Sequence, residues 1–215
     1  MSDAQIFIKT NARRLPPSAV PELHLYLADE VTPLWQATEV WLQQQNCPPP
    51  YWAFAWAGGQ ALARHMLDHP DTVQGKRVFD FAAGGGIGAI AALKAGAATA
   101  TANEIDDMAL AAVCLNAAAN DVTVAIEAGD MTGNALADFD VILAGDVCYE
   151  AAMTAKLLPW LRGLAATGKT VWLADPGRAY LPQQGLEKLG QYDIPVLADL
   201  ESCTVRQTSI YQLLP

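Results

Sequence analysis

The sequence predicts an α/β fold: a twisted, mostly parallel sheet of seven strands, helices on both faces, and an antiparallel last strand. Three observations predict it. Short apolar runs alternate with helical stretches of about 10–15 residues, the pattern of β-α-β units. The stretch "VFDFAAGGGIGAIAALKAG", Val78 to Gly96, passes from an apolar strand through a cluster of small residues into an alanine-rich helix. That is how α/β proteins present a turn to a nucleotide-like ligand. At the end of the chain the alternation stops, and two strand-like runs follow one another with no helix between them.

Residues 1–50 are irregular and rich in proline and tryptophan. They are expected to form a helical cap on a main domain spanning 51–215. Within them "AVPELHLYLADE" and "PLWQATEVWLQQQ" read as short helices, and "CPPP" at 47–50 stops any helix before it. "YWAFAWAGGQALARHMLDHP" begins aromatic and turns helical from Gly59 to His69, with Pro70 just beyond. Strands are expected at 77–81, 98–103, 122–127, 140–145 and 169–175. Helices are expected at 87–95, 107–120, 150–163 and 182–190. "YDIPVLADL" and "TSIYQLL" then read as a closing antiparallel hairpin.

The 215 residues suit one domain with appendages, and 52% hydrophobic content is ample for a core. A formal net charge of −10 argues against non-specific nucleic-acid binding, which needs a basic footprint, and suits a cationic ligand. The four cysteines form no C-x-x-C pair, so no zinc knuckle or redox motif is visible. "MSDAQIFIKTNARR" has no apolar signal core, and no run reaches the ~18 apolar residues of a membrane span. These features lead us to expect a cytoplasmic, monomeric protein that binds neither membrane nor nucleic acid.

Gly84, Gly86 and Ala89 satisfy the G-x-G-x-x-G/A spacing of dinucleotide sites. The residue ahead of them decides between two cofactors. A dinucleotide would set its pyrophosphate against this turn, where Asp80 at the strand tip would repel it. S-adenosylmethionine presents an ammonium and a sulfonium instead, and Asp80 would attract both. Ala82, Gly84, Gly86 and Gly88 keep the backbone open to a close ligand. Glu104 lies 24 residues after Asp80, at the tip of the second strand, placed to accept ribose hydroxyls in either case. Asp130, after the third strand, is a candidate for the adenine amino group. The plain alternatives are a surface acid for Glu104 and a turn residue for Asp130.

"AGDVCYE", residues 144–150, follows the fourth strand. Asp146 and Tyr149 would share a face if a helix began there; the plain alternative is that Asp146 is only an N-cap. His65 and His69 have a metal-pair spacing, but the H-E-x-x-H glutamate is missing, so we expect no metal. Cys148 has no histidine partner in view and reads as a packed thiol.

Taken together, "PPYWAFAWAGGQALARHMLDHP", "GKRVFDFAAGGGIGAIAALKAGA", "ANEID", "GDVCYE" and "ADPGR" resemble a known group. It is the Rossmann-like, seven-β-strand class I lysine methyltransferases with an Asp-x-x-Tyr/Phe signature. Within it, the match is to the electron transfer flavoprotein β-subunit lysine methyltransferase family. Ala57 stands where that family more often has Pro, and Ala82 where many methyltransferases have Gly. The resemblance implies transfer of a methyl group from S-adenosylmethionine to a protein lysine, with S-adenosylhomocysteine as product and the flavoprotein β-subunit as protein substrate. It implies that Asp146 and Tyr149 lie near the target amine and that Trp56 packs on the cofactor. Tyr51 and Trp52 would shape a lysine channel, and Asp175 and Arg178 would lie on the substrate side, each with core packing or a structural ion pair as the plain alternative. Two rival functions remain open here: a small-molecule N-methyltransferase and a non-catalytic S-adenosylmethionine-binding partner protein. An NAD-dependent oxidoreductase is disfavoured by Asp80.

Overall fold

The computed structural model describes residues 1–29, 32–36 and 49–215. Helix α1, Asp3–Asn11, starts at a reciprocal cap between Ser2 and Gln5. Strands β1, Arg13–Leu15, and β2, Leu25–Leu27, then form a small antiparallel ribbon. The helix expected at 19–30 is therefore absent. Leu23, Leu25 and Leu27 are all buried, a period of two that belongs to extended chain rather than to a helix. Helix α2, Pro33–Gln36, is the start of the helix expected from residue 33; its remainder, with Cys47 and Pro48 of the proline run, lies outside the described residues.

A 3-10 turn at Tyr51–Ala53 leads to helix α3, Ala57–Asp68. The alternation then follows. Strand β3, Arg77–Phe81, precedes helix α4, Ile87–Lys94; strand β4, Thr99–Glu104, precedes helix α5, Asp107–Ala119. Strand β5, Ala125–Ala128, is a short edge strand. Strand β6, Val141–Gly145, helix α6, Ala151–Ala166, and strand β7, Thr170–Asp175, complete the parallel part. Strand β8, Leu186–Pro195, short helix α7, Ala198–Glu201, and strand β9, Val205–Leu213, close the chain. The helix expected at 182–190 is instead a bend at 183–185 followed by the first half of β8, which is bulged between Lys188 and Gly190 and paired with β9 along its length. Long-range pairing with β9 overrides whatever helical preference that segment has.

The sheet order is β5-β4-β3-β6-β7-β9-β8, parallel from β5 to β7, with β9 antiparallel to both of its neighbours. Seven strands with an antiparallel last one match the expectation. Both faces of the sheet are covered, and the side chains sort by alternation. Val78, Leu143, Trp172 and Ala174 face the cluster built with α3, α4 and α5. Phe79, Phe81, Ile142, Ala144, Val171 and Leu173 face α6. Among the described residues no helix is long and apolar enough to cross a membrane.

Two buried asparagines fasten the N-terminal ribbon to the main domain. Both lie at the end of α5, one turn apart, in an otherwise alanine-rich stretch. Asn116 Oδ1 accepts the Tyr26 N–H at 2.7 Å while its Nδ2 donates to the Gly85 carbonyl at 2.8 Å. Asn120 exchanges hydrogen bonds with the backbone of His24, at 2.9 and 2.7 Å. Gln60 of α3 adds a third tie, accepting from Ala19 N–H at 2.9 Å and donating to the Ala55 carbonyl at 2.6 Å. The ribbon is thereby held against both the glycine turn and α3. Asn116→Ala would strip partners from two backbone groups at once, and should destabilise the fold by about 2–4 kcal/mol in urea denaturation; a change within ~0.5 kcal/mol, typical of a surface site, would refute this fastening role.

Candidate active site

Parallel sheets bind ligands beyond the carboxyl ends of their strands, where the strand order reverses. Here the order reverses between β3, which leads outward to β4, and β6, which leads the other way. A cleft opens at that point. Its floor is the glycine turn, Ala82 to Gly85, with Asp80 on one side and Gly145–Asp146 on the other. Leu25 and Leu27 of the ribbon, with Trp52, Phe54 and Trp56, form its apolar wall. Among the described residues the lining holds two carboxylates, Asp80 and Asp146, and no lysine, arginine or histidine.

Asp80 is buried, and its Oδ2 accepts the Ala89 N–H at 2.8 Å, so it ties β3 to the first turn of α4. Burial first, then the charge of Glu104, pushes its carboxyl up to about 7. A Cβ on Gly88 would lie 2.7 Å from Asp80 Oδ2, which is why that position carries none. Gly84 and Gly86 take left-handed φ of 55° and 79°. Ala82 takes 51°, a conformation an L-residue adopts at a cost. Glu104 Oε1 accepts the Gly84 N–H at 2.8 Å, and burial raises its carboxyl. Glu104 and Gly86 shape the turn from outside the cleft lining.

Asp130 lies elsewhere. It is exposed, accepts the Thr132 N–H at 2.9 Å and pairs with Lys156 at 2.6 Å; the Lys156 hydrogen bond holds its carboxyl well below the usual range. In this structure it is a turn residue with an ion pair, outside the cleft lining.

Asp146 follows β6 with a left-handed φ of 56°, a conformation Asp tolerates better than most residues. Helix α6 begins only at Ala151, with Glu150 as its N-cap. Asp146 is thus not an N-cap, and it shares no helical face with Tyr149. Its Oδ2 accepts a hydrogen bond from the Gly58 N–H at the start of α3. Its Oδ1 accepts Arg178 Nε at 3.1 Å and Nη2 at 2.7 Å. Burial pushes its carboxyl up to about 6, with Arg178 pulling the other way.

The remaining candidates surround this carboxylate. Trp52 is buried in the core and lines the cleft as well. Trp56 lines the cleft, donates its Nε1–H to the Tyr51 carbonyl at 2.9 Å and lies 5.9 Å from the Arg178 guanidinium. Tyr51 and Tyr149 are about half exposed, their rings 6.4 Å apart. Asp175 is buried and accepts the Gly177 and Arg178 N–H groups at 2.7 and 2.6 Å, so it aims Arg178 and makes no surface for a substrate. Arg178 is bonded to both Asp146 and Glu201, the ion pairs of the plain alternative. Burial pushes the Cys148 thiol up to about 12, the state of a packed, unreactive cysteine.

Sequence reasoning missed two members of this site. Glu201, in a helix of one turn, gave no signal. Gly58 was visible only as half of a glycine pair, yet a Cβ there would lie 2.5 Å from Asp146 Oδ2 and 2.6 Å from the Ala174 carbonyl.

The profile of the ribosomal protein L11 methyltransferase family (PrmA) matches residues 61–152. The electron transfer flavoprotein β-subunit lysine methyltransferase of Danio rerio is 33% identical over 202 residues, covering 91% of this chain and 77% of that protein. Its Xenopus laevis counterpart is 32% identical over 216 residues, covering 97% and 86%. This chain belongs to the electron transfer flavoprotein β-subunit lysine methyltransferase family. The methyltransferase fold is matched by a candidate methyltransferase solved with S-adenosylhomocysteine, at a TM-score of 0.54 and 10% identity over 88% of this chain and 53% of that one. A candidate RNA methyltransferase from Pyrococcus horikoshii matches at 0.51 and 16% over 84% and 91%. Members of the family take S-adenosylmethionine as methyl donor, and the cleft fits it. A cationic ligand suits Asp80, whose carboxylate is bonded to a backbone N–H and not to a cation, whereas a pyrophosphate does not.

Gly58→Ala should drive the Asp146 carboxylate from its seat. We expect a loss of about 1–3 kcal/mol in stability from overpacking, together with loss of methyl transfer, read by thermal melting and by label incorporation from S-adenosylmethionine. A fully active variant would show that the close seating of Asp146 on α3 is dispensable.

Proposed function

We propose that this protein methylates lysine side chains of the electron transfer flavoprotein β-subunit. The observation that carries the reading is the cleft at the β3–β6 reversal, where a second carboxylate, Asp146, borders the space and the Tyr51–Tyr149 pair stands exposed nearby. The names of the relatives supply the substrate. We assign Asp80, Ala82, Gly84, Gly86 and Glu104, with Trp56, to holding the cofactor, and the described part of residues 1–50 to a cap that closes the cleft with Leu25 and Leu27. The reading includes a monomer in the cytoplasm, acting without nucleic acid or membrane.

Bound S-adenosylmethionine would supply a methyl group activated by a sulfonium. The protein's own part is then chiefly positional, since in-line displacement needs the amine and the methyl aligned. The aromatic faces of Tyr51 and Tyr149 attract an ammonium as it approaches. Asp146 accepts a hydrogen bond from the nitrogen and aims its lone pair, while a proton leaves to water. Tyr149 has its hydroxyl raised by burial and stays a neutral donor.

Recombinant flavoprotein, incubated with the enzyme and labelled S-adenosylmethionine, should carry label on β-subunit lysines by mass spectrometry. Asp146→Asn should cut the rate by about 100-fold or more, the scale of a misplaced reactant. Because the working form of Asp146 is the anion and its carboxyl titrates at about 6, activity should be full at about pH 8 and fall as pH drops through about 6. Label confined to small amines, or an Asp146→Asn variant as active as the parent, would overturn the reading.

A further inference from the structure

Asp146 is where the proposed reaction needs to receive a cationic lysine, yet a cation of the chain itself already sits there. Arg178 fills both acceptor positions of Asp146 Oδ1, and the Gly58 N–H takes one on Oδ2. A carboxylate has about four such positions, so little is left for a substrate. The same Arg178 Nη2 lies 3.1 Å from Glu201 Oε1. One nitrogen therefore stands between two carboxylates.

The pair also stands where two cavities meet. Asp146 lines the cofactor cleft, whereas Arg178 lines an outer recess with Tyr149, Gly177 and Arg206. Tyr149 and Arg178 thus share the outer recess, whose lining does not include Asp146.

We propose that Arg178 is the resident stand-in for the target ammonium: it neutralises Asp146 while the site is empty, and yields that carboxylate to the entering lysine by moving wholly onto Glu201. The inference rests on the lysine-methylation reading. Three features support it. First, an unpaired Asp146, 11% exposed, would be a buried bare charge, so some cation has to be present in the resting state. Second, the receiving site is already built. Glu201 is buried, 5% exposed in its side chain, and is held by Arg206 through both its carboxylate, at 3.1 Å, and its carbonyl, at 2.7 Å. Third, Asp175 fixes Arg178 by its backbone N–H, and the guanidinium already bonds to both carboxylates of the exchange. The exchange brings one cation to Asp146 as the other leaves, so the carboxylate is not bared as the substrate enters. It also selects for charge: a neutral amine has no comparable claim on the Arg178 position.

Guanidinium ion added to Arg178→Ala at sub-denaturing concentration tests the exchange. If arginine and lysine share one position, guanidinium should inhibit methylation of the flavoprotein competitively with that protein, raising its KM several-fold and sparing kcat. The parent enzyme should be indifferent to the same addition. If arginine and lysine occupy Asp146 together, guanidinium should restore kcat instead, and the proposal fails; indifference of the variant sinks it equally. Should Arg178→Ala not fold, Glu201→Gln carries the test. It should raise the KM for the flavoprotein several-fold, with a smaller effect on kcat and an unchanged affinity for S-adenosylhomocysteine. An unchanged KM, or a loss confined to kcat, contradicts the exchange. A parent enzyme that labels no protein lysine would remove the functional reading itself, and the exchange with it; where the parent is active, the variants bear on Arg178 alone.

Discussion

Burying a carboxylate costs several kcal/mol unless its lone pairs are filled, and much of this molecule is arranged around filling those of Asp146. The residue sits at the end of the central strand β6, in a left-handed conformation that turns the chain out of the sheet. Helix α3 brings the Gly58 N–H to one oxygen; the loop after β7 brings Arg178 to the other. Both approaches depend on what surrounds them. Gly58 can come that close only because it has no side chain. Arg178 is aimed by Asp175 and shared with Glu201, itself anchored by Arg206 from β9. The antiparallel hairpin formed by β8 and β9 is thereby linked to Asp146 through one chain of alternating charges.

The second carboxylate, Asp80, is supported differently. It has the first turn of α4 as its donor, and burial and Glu104 both favour its neutral form. A cationic ligand in the cleft would reverse that balance by stabilising the anion. The two acids at one reversal point thus stand in different settings: Asp146 is paired with Arg178, and Asp80 is bonded to a backbone N–H.

The centre of the parallel sheet could be read from the sequence because β3, β6 and β7 are short apolar runs followed by turn residues, with both faces buried. β3 and α5 lie within a residue of where their runs suggest. The glycine turn and its flanking acids were equally visible, since close backbone approach demands small residues. What escaped the reading depends on distant partners. The extended ribbon at 25–27 is held by an amide on α5, roughly ninety residues away in the chain. Asn116 and Asn120, two polar residues one turn apart in an alanine-rich stretch, were the signal that such a partner existed. β8 has few buried side chains and exists as a strand because β9 pairs with it. Asp130 had the right position after its strand, but Lys156, 26 residues on, claims it. Ala82 is the reverse case: the departure from glycine was visible, and the structure shows its consequence, an L-residue at a φ of 51°.

The central claim is a division of labour in one cleft, with the Asp80–glycine–Glu104 side holding the cofactor and Asp146 holding the amine. Calorimetric titration of S-adenosylhomocysteine into Asp146→Asn and Glu104→Gln tests it most directly. The account predicts an unchanged Kd for Asp146→Asn and a Kd weakened by about tenfold or more for Glu104→Gln, the worth of a hydrogen bond to a charged group. Equal weakening in both, or weakening confined to Asp146→Asn, would contradict it.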